Sequence, residues 1–340
     1  MRYKTPSNFF ISPFSSLFSR VFQFILILIL TVQAAQAANK FEIKHADSLE
    51  VDDNKIRIEG NVIIQYKESN VEAKTAQVET DSEGQPQKAV FFNNAKIKLK
   101  DRTLFADKLT LDLNEKIIYA EGNTKSELQD KKNIPIVIYS DFQEVSWIGE
   151  GAYAEGNIKS TYQDTKVSSD KAKIIYKNKK PYQAIFYSTS KKSELIQPTS
   201  RTTSDEFIFD VNNQNIQAVG NVQSTIWPAK NEPTDKQNPV MFTAEELFID
   251  HDSGIVTAES DKNKVNVIYE DTNGDSNKAV LLRDKESGKP QKIIFTGSAN
   301  VTQLDKKLSS EEVVLNFNDK KLTSNTKTNI RPKTIIFKMD

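Results

Sequence analysis

Residues 108–123 read Lys108-Leu109-Thr110-Leu111-Asp112-Leu113, then Asn114-Glu115-Lys116, then Ile117-Ile118-Tyr119-Ala120-Glu121-Gly122-Asn123. Apolar and polar residues take turns up to Leu113, and three polar residues interrupt the run before a second apolar-rich one begins. Alternation with period two is the mark of a strand with one face buried. Two such runs around a short polar break read as a hairpin. The alternation recurs in Ala95-Lys96-Ile97-Lys98-Leu99-Lys100, Phe207-Ile208-Phe209-Asp210-Val211, Val265-Asn266-Val267-Ile268-Tyr269 and Val313-Val314-Leu315-Asn316-Phe317. No window from Phe41 onward holds a helical apolar stripe for ten residues. The chain reads as all-β.

Further hairpin turns are expected at Asp52-Asp53-Asn54-Lys55, Val211–Ile216, Asp250–Ile255 and Phe317–Leu322. With only 11 glycines, Asn should carry many of the positive-φ positions that tight hairpins demand. A second mark follows several hairpins: Gly60-Asn61, Gly122-Asn123, Gly156-Asn157 and Gly220-Asn221, with a looser copy from Gly297 to Val301. The glycine intervals are 62, 34, 64 and 77 residues, and Asn93-Asn94-Ala95 stands where a missing copy belongs. We read the Gly-Asn pairs as a repeat mark, a sharp bend or turn in which a side chain at the glycine would not fit, within units of ~30 residues. A single two-stranded unit is marginal in water, whereas stacked units bury a continuous face. An immunoglobulin-like sandwich, which needs no such period, is the competing fold.

The 340 residues hold 37% hydrophobic and 27% charged residues, a balance suited to thin β layers with one wet face. The 46 basic and 46 acidic residues cancel. Three of the basic ones (Arg2, Lys4 and Arg20) precede residue 38, which leaves the remainder mildly acidic and gives no electrostatic case for nucleic acid. Absence of cysteine excludes disulfides, thiol nucleophiles and thiolate metal sites. His45 and His251 are far apart in the chain, so no histidine-based triad or metal pair can be assembled. Asp271–Ser276 opens like a calcium loop, but Ser276 stands where glycine is needed and Leu282 where the bidentate Glu belongs. Glu245-Glu246 and Glu311-Glu312 alternate across a strand and cannot face each other as acid and base. Trp147 and Trp227 read as packing plugs. No catalytic residue and no cofactor is expected.

Residues 1–37 combine a basic start, the apolar run Val21–Val32 and an Ala35-Gln36-Ala37 site, the features of a secretory signal peptide. An uncleaved anchor is the alternative; in either case the remainder is exported, and a periplasmic location follows. Residues 38–227 form the first β-repeat region. Residues 228–239, with Pro228, Pro233 and Pro239, read as a loop or hinge. Residues 240–340 form a second lobe that can be continuous with the first. Glu127–Pro135 and Ser190–Thr203 read as shorter excursions.

The segment Ala46-Asp47-Ser48-Leu49-Glu50-Val51 followed by Ile56-Arg57-Ile58-Glu59-Gly60-Asn61-Val62 resembles the OstA-like repeat of lipopolysaccharide-transport proteins. Residues 106–123 and 204–222 repeat it, and residues 243–259 carry a degenerate copy. The resemblance spans most of residues 40–325 and is to the LptA-type periplasmic bridge family. It implies an elongated, twisted, open antiparallel β jelly roll whose apolar interior shields lipid acyl chains. The chain is longer than the soluble bridge component and has too little sequence after the repeats for an outer-membrane barrel. The implied partners are lipopolysaccharide or a similar glycolipid and, by β-edge pairing, like domains of the inner- and outer-membrane components; head-to-tail self-association is a further implication. The membrane-anchored inner component of the same bridge is the variant reading.

Burial of an acyl chain is worth about 0.8 kcal/mol per CH₂, so a dozen carbons represent roughly 10 kcal/mol. A β trough with one apolar face can supply that shelter. The candidate lipid-contact face comprises Val62, Ile64, Tyr66, Ile97, Leu99, Leu109, Leu111, Phe207, Phe209, Val265, Val267, Leu315 and Phe317. The residues alone leave a lipid groove and a dry structural or adhesive core equally open. Open rolls also leave unpaired edges, which neighbours can extend; the candidate ends are Phe41–Val51 and Thr334–Lys338.

Overall fold

The computed structural model describes residues 41–100, 102–129, 133–148, 151–178, 180–228, 238–284, 287–325 and 333–336. The leader, most of the proline-rich segment and part of the expected C-terminal end lie outside these residues. Every regular element among them is a strand, and all 24 join one antiparallel sheet.

The first rung is β1 (Phe41–His45) with β2 (Ser48–Asp52). Eight unbroken rungs come after it: β3 (Lys55–Tyr66), β4 (Ser69–Thr80), β5 (Pro86–Lys98), β6 (Arg102–Asp112), β7 (Ile117–Gln129), β8 (Pro135–Ser146), β9 (Gly151–Tyr162) and β10 (Thr165–Lys177). Two rungs cut in the middle come next, β11 (Lys180–Tyr187) with β12 (Ser193–Gln197) and β13 (Ser200–Ser204) with β14 (Glu206–Asp210). Then β15 (Ile216–Ile226) and β16 (Val240–Ile249) are whole, while β17 (Val256–Glu259) with β18 (Val265–Tyr269) and β19 (Thr272–Ser276) with β20 (Lys278–Arg283) are cut. The chain finishes with β21 (Pro290–Gln303), β22 (Lys306–Asn316) and the cut rung β23 (Lys321–Asn325) with β24 (Lys333–Ile336). Each rung pairs with the next in sequence, so the chain is a strict meander. Ile226 pairs with Val240, and the sheet therefore continues across the proline-rich segment.

Of the bend and the turn expected at the Gly-Asn pairs, the structure has the bend. The pairs lie inside strands, not in the turns between them. Gly122 and Asn123 together stand opposite the single residue Asp141, and Gly60-Asn61, Gly156-Asn157 and Gly220-Asn221 stand likewise opposite Lys74, Asp170 and Glu245. Asn93-Asn94 opposes Asp107, and Gly297-Ser298 opposes Glu311. Two residues against one is a β-bulge, which bends and twists its strand. All of these glycines and asparagines have positive φ (Gly122 at 73°, Asn123 at 45°). A Cβ on Gly122 would meet Asp107 Oδ2 at 2.7 Å. The asparagine then locks the bend: Asn123, Asn157 and Asn221 donate through Nδ2 to Asp107, Asp141 and Asp205 at 2.7, 2.8 and 2.9 Å. Where a rung is cut at this level, a carboxylate caps the loop instead. Glu245 accepts from the backbone N–H groups of Asp261, Lys262 and Asn263, and Asp170 from those of Thr189 and Ser190.

Aligned bulges make a spine that folds every rung in half. One half-sheet ends in the turns at Asp53, Lys116, Gln214 and Lys320; the other ends in those at Lys67, Gln163, Glu270 and Leu304. The expected hairpins are all present, but their positive-φ positions fall on these residues and on Gly254 rather than on Asn. Asx turns start several: Asp112 Oδ1 accepts from the N–H groups of Asn114 and Glu115, and Asp210 Oδ1 from those of Asn212 and Asn213. Of the stretch Ser190–Thr203, expected to be an excursion, all but the first few residues form the hairpin β12–β13. Its inward residues Ser193, Ser200, Thr202 and Ser204 are buried hydroxyls beside a single apolar Leu195, so no apolar alternation betrays it.

Candidate functional site: the apolar interior and its lip

The two half-sheets close on each other face to face. All thirteen candidate contact residues point between them. Val62, Ile64, Ile97, Leu109 and Leu111 are fully buried in one apolar cluster, and Phe207, Val265, Val267 and Leu315 in a second. Tyr66 is also buried, and Leu99, Phe209 and Phe317 pack at the margins. The side chains of each cluster pack against one another.

Opposite the spine, the free turns of the two half-sheets meet along a lip, held by clasps that sequence reading missed. Tyr66, at the end of β3, packs on Trp147 beyond β8 with ring centroids 4.9 Å apart. Arg102, at the start of β6, hydrogen-bonds the Tyr176 hydroxyl at the end of β10 and lies over its ring. Gln214 donates to the Tyr162 hydroxyl at 3.1 Å. Arg283 donates to Thr199 Oγ1 at 3.3 Å. Tyr269 meets Phe317 edge-on at 4.4 Å, and beside them Lys320 pairs with Glu270. The partners in each clasp lie several rungs apart, the stagger that a twisted roll requires. A signal was present: Tyr66-Lys67-Glu68-Ser69, Tyr162-Gln163-Asp164-Thr165 and Tyr269-Glu270-Asp271-Thr272 share one pattern, and all three tyrosines are clasps.

The electrostatics of the lip come from this packing. Burial pushes the Tyr66 and Tyr269 hydroxyls up. The Lys320 ammonium holds Glu270 below the usual carboxylate range, helped by Asn238 and Tyr269. Trp147 Nε1 is shielded from solvent and finds no hydrogen-bond partner among the described residues. An unmet indole N–H weakens this clasp, since orphaned donors cost about 1–3 kcal/mol.

The first rung leaves the interior open. Residues paired directly across an antiparallel ladder share a face, so Leu49 and Val51 point inward with their partners Ile58 and Ile56. Ile58 is fully buried, whereas Leu49 and Val51 are 51% and 64% exposed. Among the described residues, β1 and β2 pair only with β3, and β23 and β24 only with β22. Both ends therefore present one unpaired edge. The expected first end, Phe41–Val51, coincides with this edge rung; of the second, Thr334–Ile336 lies in β24 and the rest is outside the described residues.

The stretch that opened like a calcium loop is the strand β19, so its side chains alternate between faces. No group of three or more His, Cys, Asp or Glu able to hold a metal occurs among the described residues. A hollow of about 350 Å³ on the outer face is lined by Gln217, Glu246, Phe248, Thr257, Glu259 and Lys278, with Leu247 at its floor.

No family model matches the chain, and no curated protein does. Among solved structures, the chain is similar to the crystal structure of LptH, described as the LptA homologous periplasmic component of the lipopolysaccharide transport device of Pseudomonas aeruginosa. The match has 12% identity, covers 45% of this chain and 82% of that one, and gives a TM-score of 0.28. So slight a likeness carries no argument about function.

Proposed function

We propose that the chain is a periplasmic lipid-transfer bridge that shelters the acyl chains of lipopolysaccharide or a related glycolipid between its half-sheets. The observation that carries this reading is the apolar mouth at the first rung. Inward-facing Leu49 and Val51 are exposed there, on a rung that among the described residues pairs only with β3, and continuous with the buried interior. A protein built only to be stable would cover such residues, each worth roughly 1.5–3 kcal/mol on full burial. The repeat resemblance at residues 46–62, 106–123 and 204–222 supports the same reading. Edge pairing would bring the mouth against the roll of a like domain of the inner- or outer-membrane components, or of a second copy head to tail, and extend the interior.

The competing reading is a structural or adhesive β-repeat protein, favoured by the dry packing of Leu109, Leu111 and Phe207. One experiment separates the two. Delipidated protein is titrated with fluorescently labelled lipopolysaccharide, and the half-buried Phe209 is changed to Asp. Saturable binding, competed by unlabelled lipid and lost in a folded Phe209→Asp variant, supports the bridge. Absence of saturable binding leaves the dry structural protein.

A further inference from the structure

The interior is not uniformly apolar. A polar layer crosses it where β6, β7 and β8 meet. Gln143 donates through Nε2 to Thr124 Oγ1 at 2.9 Å and accepts at Oε1 from Ser126. Thr124 Oγ1 donates to the Ser140 carbonyl at 2.8 Å and lies 2.7 Å from its hydroxyl. All four residues are buried, as is Arg102, whose guanidinium reaches Tyr176 at the lip. On one half-sheet the layer runs through Arg102, Ser126, Thr124 and Ser140; on the other it is Gln143.

This layer is the boundary between the two apolar clusters. Ile58, Ile97, Leu109, Leu111 and Val145 lie on one side, and Leu128, Ile158, Phe207, Leu247 and Phe295 on the other. The lip is divided in the same way. Tyr66–Trp147 closes it with an aromatic contact beside the first cluster, and Tyr269–Phe317 does so beside the second. Three polar clasps lie between them, Arg102–Tyr176 at the septum and Gln214–Tyr162 and Arg283–Thr199 along the second cluster.

We propose that the roll contains two separate acyl sites divided by this septum, each under its own aromatic clasp. Resting on the lipid-bridge reading, the inference adds that no hydrocarbon chain runs through the whole interior. A chain crossing the septum would have to break the bonds of Gln143, Thr124 and Ser126 and offer nothing in return, because buried polar groups need partners that a hydrocarbon lacks. Two short sites with an internal barrier would pass ligand in steps, through the lip, rather than as a lengthwise slide.

The test uses a 16-carbon fatty acid carrying a terminal diazirine, irradiated with the full chain and mapped by peptide mass spectrometry. Two adducts per chain are expected at saturation, one within the first cluster (residues 56–120 and Val145) and one within the second (Leu128, Ile138 and residues 154–315), with none on Thr124, Ser126, Ser140 or Gln143. Removing the septum as a unit (Thr124→Val, Ser126→Ala, Ser140→Ala and Gln143→Leu) should spread adducts onto positions 124, 126, 140 and 143 and lower the stoichiometry to one. The single change Gln143→Leu serves if the fourfold variant does not fold, and should add septum adducts at unchanged occupancy of the two sites. One adduct per wild-type chain, or wild-type labelling through the septum, overturns the two-site inference while leaving the lipid reading intact. An adduct map unmoved in a folded variant overturns it as well. No labelling of either cluster overturns both.

Discussion

Tyr66 and Trp147 touch across the lip with their ring centroids 4.9 Å apart, although one ends β3 and the other lies just beyond β8. Their contact is one of the clasps that tie together the free edges of the two half-sheets opposite the spine. The chain has no cysteine, so the pair can be replaced by the only two thiols in the molecule. With Tyr66→Cys and Trp147→Cys together, cross-linking by a short bismaleimide should slow uptake of labelled lipopolysaccharide into the first cluster at least tenfold and leave the second cluster unaffected. The uncross-linked double variant should take it up as fast as the parent or faster. Equal uptake in both forms would show that lipid does not enter through this part of the lip.

The spine makes a prediction about stability that is independent of function. Gly122 has φ of 73° and faces Asp107, so Gly122→Ala combines a left-handed penalty with a clash and should cost about 2 kcal/mol or more. Asp107→Ala and Asn123→Ala each remove one end of a 2.7 Å bond and should cost about 1 kcal/mol. Because they share that bond, the double variant should cost less than the sum of the two. Urea midpoints measure all four. Strict additivity would show that the bond does not hold the bend.

Strand alternation and turn chemistry made much of the roll legible. Leu109, Thr110 and Leu111 announce a strand by themselves, and Asp112 with Asn114 announces its turn. Gly122-Asn123 announced a break in the pattern but not its kind, because a bulge and a turn both call for positive φ. Which it is depends on Asp141 in the next strand. The clasps were harder still, since a tyrosine before a turn looks the same whether it faces solvent or a Trp far along the chain. Ser126 and Gln143 escaped notice for a related reason. A polar residue at an inward position reads as a fault in the alternation until its partner is seen opposite.

Acid should loosen the C-terminal lip. Glu270 is held below its ordinary range first by the hydrogen bond from Lys320, and the Lys320 ammonium is raised in turn by Glu270. The lowered carboxylate contributes stability above the unfolded Glu range, near pH ~4.3, and that contribution is lost as pH falls through the folded value. The raised ammonium contributes below the unfolded Lys range, near pH ~10.4, and loses its contribution as pH rises through the folded value. The clasp is therefore intact between these limits. Denaturation of the parent and of Glu270→Gln from about pH 3 to about pH 8 should show the parent more stable at neutral pH, with the difference closing at the acid end. A difference that stays constant with pH would mean that the ion pair does not hold the lip.

Leu304 offers the sharpest test of whether the outer turns serve anything beyond folding. It occupies the turn between β21 and β22 at φ of 51° and is 68% exposed. An L-residue with a Cβ loses about 1–2 kcal/mol by sitting in that region, which glycine avoids. Gly254 and Gly288 already do so at turns on the other edge, at 68° and 70°. Glycine loosens the unfolded chain, which returns part of the gain, so Leu304→Gly should stabilise the chain by about 0.5–1 kcal/mol. Lys320 is unsuitable for the same change because its ammonium pairs with Glu270. A measured loss of stability in place of the gain would mean that the exposed leucine has a packing partner in solution, and a neighbouring roll laid against this edge would supply one. Sedimentation of parent and variant at matched concentration would then distinguish a lost contact between chains from a lost contact within one.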